Sequence, residues 1–141
     1  MPESRDLIDA RRCLAEGEAD FRSADGLASL DESLALLDVV IAEAKPAETK
    51  LARNLAATYA ARIYAHVGEL LARDSQVPEP VLEHLFKVVL AFDQVSAALP
   101  DSARELKISV VRQLIDRYYE GHPPEKKREA LRELEQLRRR H

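Results

Sequence analysis

The chain has 141 residues, of which 46% are hydrophobic and 33% charged, and its net charge is −4. A chain of this length buries roughly 70% of its unfolded surface, so we expect residues 1–141 to form a single domain. The composition excludes a disordered chain, and the lack of any apolar run near ~20 residues excludes a membrane-spanning protein. Because the charged N-terminal segment lacks the apolar region of a signal peptide, the expected location is the cytoplasm.

Apolar residues recur at steps of three and four between prolines and glycines, which predicts an all-α fold without strands. The predicted helices cover residues 4–22, 27–44, 47–73, 80–98, 102–120 and 123–140. Short turns make successive helices antiparallel neighbours. The sequence therefore predicts three helical hairpins, arranged as a short right-handed solenoid or as a helical bundle.

The first two helices are separated by a predicted break at residues 23–26. Ser29 and Glu32 match a capping box, which would delay the start of the regular second helix. Cys13 is the only cysteine, so an intrachain disulfide and a multi-cysteine metal site are excluded. We expect Cys13 to be a small, half-buried apolar residue of the first helix rather than a reactive thiol.

The third helix is rich in alanine, which lets neighbouring helices approach closely and predicts a central position. His66 and Glu69 lie three residues apart on one face of it. Two-metal carboxylate bundles use the opposite order, Glu-x-x-His, together with further carboxylates. We therefore predict a polar stripe of Arg62, His66 and Glu69, and no metal site.

The fourth helix carries two apolar stripes. The first consists of Val81, Leu85, Val88, Phe92, Val95 and Leu99. The second consists of Leu82, Phe86 and Val89, and two explanations for it compete. Either the helix is central and buries both stripes, or the second stripe is exposed and is covered by another protein or a second copy, with Phe86 as the anchor.

The segment Arg117-Tyr-Tyr-Glu-Gly-His122 joins the last two helices. A structural interpretation makes Gly121 the residue that ends the fifth helix. His122 would then cap the sixth helix, with Pro123 in its first turn. The two tyrosines would pack at the corner, and neither Arg117 nor His122 would be catalytic.

The Arg-x4-His spacing of Arg117 and His122 also resembles the signature of HEPN-type ribonucleases, which are small all-α proteins. That resemblance implies that Arg117 stabilises phosphate charge and that His122 acts in acid–base chemistry. A HEPN-like ribonuclease, or an inactive relative, is therefore the alternative function.

The last two helices, residues 102–140, resemble a tetratricopeptide unit, in which two helices flank a small-residue turn. The matching positions are Leu114, Tyr118, Gly121, Ala130, Leu134 and Leu137. The resemblance implies a helical scaffold that binds another protein.

Charge is distributed unevenly along the chain. Residues 1–49 carry 5 basic and 12 acidic side chains, whereas residues 122–141 carry 7 basic and 4 acidic ones. The acidic head and basic tail could attract each other. The tail could alternatively contact nucleic acid through Lys126, Lys127, Arg128, Arg132 and Arg138–Arg140. Interspersed glutamates instead favour a solvated face, and the overall acidity makes nucleic acid an unexpected partner.

The sequence contains no glycine-rich phosphate loop, no Gly-x-Ser-x-Gly and no Cys-x-x-Cys, which lowers the expectation of an enzyme. The favoured prediction is a non-enzymatic scaffold or adaptor without cofactor or metal.

Overall fold

The computed structural model describes residues 4–43 and 46–139, without the side chains of 137–139. The described residues form six α-helices and no strand, which confirms the all-α prediction. The helices are α1 (Arg5–Ala19), α2 (Ala24–Ala42), α3 (Pro46–Arg73), α4 (Glu79–Val95), α5 (Asp101–Tyr118) and α6 (Pro124–Arg139). The predicted end of the second helix at residue 44 and the arginine at position 140 lie outside the described residues, as do the side chains at positions 137–139.

The start of α2 differs from the prediction. Ser23 is its N-cap, and the Ser23 hydroxyl accepts a hydrogen bond from the Gly26 amide at 3.0 Å. The helix therefore begins at Ala24, and Ser29 lies inside it. The predicted break at 23–26 and the predicted late start at Ser29 were wrong, because the Ser23 hydroxyl pairs with one of the free amides of the first turn and the helix can begin there.

Two glycines allow α1 and α2 to pack closely. A Cβ atom on Gly17 would lie 2.6 Å from Cγ of Leu30, and a Cβ atom on Gly26 would lie 1.7 Å from the backbone oxygen of Asp20. Gly26 therefore lets the first turn of α2 approach the backbone of Asp20 at the end of α1, and it does not interrupt the helix.

Helix α3 occupies the centre of the molecule, as expected. It contacts α1, α2, α4 and α5. Its small residues Ala52, Ala56 and Ala60 are fully buried, together with Ile63 and Tyr64. Small side chains at these positions let neighbouring helices pack close to the α3 backbone.

Helix α4 ends three residues earlier than predicted. Ser96 is extended at the C-cap, with φ −75° and ψ 149°. The following amide, that of Ala97, donates to the Arg53 carbonyl at 3.0 Å. The chain thus leaves the helix to pair with the backbone of α3, an interaction that local sequence does not encode.

The helices pack as successive pairs. The pair α1–α2 contacts α3 and α4, and α4 and α3 in turn contact α5, whereas α6 contacts only α5 within the described part of the chain. Arg53 faces Ala97 and Tyr64 faces Val89, so α3 and α4 run in opposite directions. The complete three-hairpin arrangement and its handedness stay predictions.

The turn between α5 and α6 is also shifted. Tyr119 is the C-cap of α5, and Gly121 adopts a φ of +82° two residues later. Helix α6 begins at Pro124, so Pro124 rather than Pro123 is its first residue. His122 consequently lies one residue too early to be the predicted cap. Across the described ranges, no helix is both long and apolar enough to cross a bilayer.

Candidate functional site

Arg117 is held by the end of helix α3. Its Nη1 donates to the Leu71 carbonyl at 2.9 Å, and its Nη2 donates to the Asp74 carbonyl at 2.6 Å. Carbonyls at a helix C-terminus lack intrahelical partners, and a cation there also interacts favourably with the helix dipole. The guanidinium therefore fastens α5 to the end of α3.

His122 lies in a different environment. Its ring stacks on Tyr118 with centroids 5.5 Å apart and meets the edge of Tyr119 at 5.7 Å. Its Nε2 lies 3.3 Å from Oε1 of Glu79, at the first residue of α4. Arg117 and His122 thus contact separate groups: Arg117 joins the α5–α6 corner to the end of α3, and His122 joins it to the start of α4.

The second stripe of α4 is largely inside the protein. Leu82 and Val89 are buried, whereas Phe86 is half-buried. The monomer therefore does not expose the second stripe along its whole length. Phe86 is the member of that stripe that still reaches the surface, and the half-buried Leu90 lies one turn further along α4.

Phe86 and Leu90 lie in two adjoining grooves above α5. The first groove has a volume of about 260 Å³ and includes the apolar residues Leu114 and Ile115 and the rings of Tyr118 and Tyr119. The second, of about 370 Å³, continues along α5 to Ala130 and Leu134 of α6. Because Phe86, Leu90 and Ile115 line both, we treat the two as one feature, the α4–α6 groove.

The charged residues that line the α4–α6 groove are mostly acidic. They are Glu83, Asp93 and Glu133, against the single cation Lys87. Lys87 lies 3.3 Å from Glu83 on the same helix. The negative field extends to the end of the groove, where the Glu83 carboxylate, with smaller contributions from desolvation and from Glu79, raises the pKa of Tyr118.

Asp93, which lines the groove, forms an ion pair with a buried lysine. Lys107 is 0% exposed, and its Nζ is 2.6 Å from Oδ1 of Asp93. Burial and the Asp93 carboxylate raise the pKa of the neighbouring Tyr64. Sequence analysis missed this cluster, although Lys107 lies at helical spacing between the buried residues Ala103 and Val110. That spacing was the available signal for a lysine on an apolar face.

A second polar cluster joins α1 to α3. Glu18 forms an ion pair with Arg62, and Oε2 of Glu18 lies 3.5 Å from Nε2 of His66. Phe21 stacks on His66 at 5.6 Å, and Arg62 lies 4.8 Å above the Tyr59 ring. Two members of the predicted stripe on α3, Arg62 and His66, thus contact α1 or the segment after it, whereas Glu69 is exposed.

The Cys13 thiol lies inside the protein. Cys13 is buried rather than half-buried, and desolvation raises the pKa of its thiol, which makes the nucleophilic thiolate scarcer. Within the described residues, no group of three or more His, Cys, Asp or Glu side chains could hold a metal ion. Comparisons with protein-family models, curated protein sequences and solved structures gave no match.

Proposed function

We propose that the protein is a non-enzymatic helical scaffold that binds another protein through the α4–α6 groove. The observation that supports this proposal most directly is the position of Phe86, a half-buried aromatic ring that lines both parts of the groove. Aromatic residues in partly enclosed apolar sites commonly dominate the binding energy of an interface. The resemblance of residues 102–140 to a tetratricopeptide unit favours the same class of function.

Other apolar residues at the surface offer a contrast. Ile8, Val39 and Leu51 are the large hydrophobic residues with the greatest exposure in the described chain. None of the three lines a described groove. Single exposed apolar side chains are normal on protein surfaces, whereas a concave apolar feature is typical of a binding site.

The proposal is tested by placing a charge in the groove. Phe86→Glu should leave the protein helical and should remove a specific partner that the wild-type protein retains from native lysate, as identified by mass spectrometry. Val39→Glu is the matched control, because it adds the same charge at an exposed apolar position of α2 and should retain the partner. A partner retained equally by wild type, Phe86→Glu and Val39→Glu would contradict the proposal.

A second copy of the chain is the other occupant to test. Sedimentation analysis of wild type and Phe86→Glu distinguishes the two, because self-association through the groove would convert a wild-type oligomer into a monomeric variant. We expect both proteins to sediment as monomers. An oligomer that Phe86→Glu dissociates would assign the groove to self-association instead.

A further inference from the structure

In its second part the α4–α6 groove is a slot between two helices, whereas its first part is lined by α4, α5 and Tyr119. Helices α4 and α6 both pack on α5, yet no Cα atom of one lies within 8 Å of a Cα atom of the other in the part of the chain that the structure describes. Val111 and Ile115 of α5 form the floor between them. The residues of α4 that line the slot run from Glu83 to Gln94, a length of ~17 Å at 1.5 Å per residue. A slot of this length accommodates about three turns of helix.

The slot is apolar at its floor, and carboxylates outnumber cations among the residues that line it. Glu83 belongs to the α4 wall and Glu133 to the α6 wall. Asp93 is paired with the buried Lys107, so its charge is largely balanced within the protein. One cation, Lys87, lies on the α4 wall 3.3 Å from Glu83 and partly balances its charge, which makes Glu133 the main carboxylate of the slot. The raised pKa of Tyr118 supports a negative field at that end of the slot.

From this geometry, and resting on the proposed function, we propose that the slot receives an amphipathic helix of another protein, with apolar residues on one face and lysine or arginine on both flanks. Leucine-like side chains at i, i+3, i+4 and i+7 would pack against Phe86, Leu90 and Ile115. Cations on the two flanks would face Glu83 and Glu133. Such charge complementarity affects partner choice and association rate more than it affects total affinity.

The basic α6 helix of a second copy is a poorer occupant. Its apolar residues Ala130 and Leu134 are already buried in the monomer. For Ala130 and Leu134 to bind a second molecule, α6 would have to separate from α5. That separation would remove one wall of the slot. The partner helix therefore belongs to a different protein.

The test uses two labelled synthetic peptides of 14 residues (about three to four turns) with the full-length protein. Both carry leucine at i, i+3, i+4 and i+7; one carries lysine and the other glutamate at the flanking positions. Fluorescence anisotropy at low salt should show saturable binding of the lysine peptide and affinity at least about fivefold weaker for the glutamate peptide. Phe86→Glu should abolish the binding of the lysine peptide, whereas Val39→Glu should not.

Charge removal tests the wall residues directly. The double variant Glu83→Gln/Glu133→Gln should bind the lysine peptide with about threefold lower affinity than the wild-type protein. The difference in affinity between the lysine and glutamate peptides should also become smaller. The double variant Glu16→Gln/Asp38→Asn, which removes two exposed charges from α1 and α2, should leave both affinities unchanged.

Two outcomes would overturn the inference. The wild-type protein could bind the lysine and glutamate peptides with equal affinity, and Phe86→Glu could bind neither. This result would reject a basic partner helix but would be consistent with the scaffold proposal. If the wild-type protein did not bind the lysine peptide, the helix inference would be rejected. The proposed function itself would be rejected if Phe86→Glu retained the same lysate partner as the wild-type protein.

Discussion

At the scale of single residues, Lys107 has the least ordinary environment for its type. It is fully buried in α5 and paired with Asp93 of α4. Desolvating two charges offsets much of their attraction, so such a pair adds little net stability. Removing Lys107 alone is different, because it takes the buried ammonium away from the Asp93 carboxylate.

Lys107→Ala should therefore lower the free energy of unfolding by about 3–5 kcal/mol, since Asp93 would lose its buried cation. The double variant Lys107→Met/Asp93→Leu should lose much less, because it replaces both charges by apolar groups of similar volume. Urea denaturation of the two variants and the wild type gives the comparison. A single variant as stable as wild type would show that the Asp93–Lys107 pair is not buried in solution.

Arg117 and His122 permit a test of the ribonuclease alternative. Arg117→Ala should lower stability by about 1.5–3 kcal/mol, because two charge-assisted hydrogen bonds to the Leu71 and Asp74 carbonyls would be lost. Arg117→Lys should recover part of this loss.

We expect no RNA cleavage by purified wild-type protein in a fluorescent-substrate assay. Cleavage that disappears in both Arg117→Lys and His122→Ala, with the fold intact, would instead establish the ribonuclease.

Residue patterns predicted some of these environments and not others. The alternation of apolar residues in α4 placed Leu85, Val88 and Phe92 on one face, and all three are buried. The pairing of Glu18 with Arg62 and His66 joins residues 44 and 48 positions apart. Such contacts depend on how α1 crosses α3, which no periodicity within either helix determines.

At the scale of elements, glycines decide how closely α1 and α2 approach. Gly26→Ala should lower the free energy of unfolding by about 3 kcal/mol, because the new Cβ would overlap the backbone of Asp20, which cannot rotate away. Gly17→Ala should cost about 1–3 kcal/mol, because the flexible Leu30 side chain can partly adjust.

Gly68 provides a matched control on α3. Its added Cβ would make only an ordinary contact at 3.6 Å with Val110. Gly68→Ala should therefore stabilise the protein by about 0.5–1 kcal/mol through higher helix propensity. Thermal unfolding followed by circular dichroism measures all three variants. Equal effects at positions 26 and 68 would contradict the packing of α1 against α2.

The six helices were predictable because their apolar spacing and proline punctuation are local properties. Their ends were less so. Ser23, which lies in the predicted break, caps α2, and the backbone of Asp20 lies against Gly26 in the same turn. The candidate site was partly predictable from local spacing, because Phe86 belongs to an apolar stripe of α4. The contribution of Leu90 and of α6 depends on how the helices pack, which local spacing does not determine.

At the scale of the whole molecule, contacts between helices extend beyond neighbours in the chain, because α2 contacts α4 and α3 contacts α5. Within the described ranges, no Cα atom of α1 or α2 lies within 8 Å of one in α5 or α6. Helices α1 and α2 of the acidic head therefore do not pack against the basic tail, and attraction between head and tail stays a prediction.

Removal of residues 125–141 tests what the tail contributes. The described contacts of this segment are with α5: Ala130 and Leu134 are buried, and Lys127 lies 3.1 Å from Asp116. The truncated protein should remain helical and lose stability by a similar amount at 0.05 and 0.5 M NaCl, since apolar packing dominates this contact. Attraction between the acidic head and the basic tail would instead be screened over ~10 Å at 0.1 M salt. A loss of stability that is much larger at low salt would therefore favour long-range charge attraction over packing on α5.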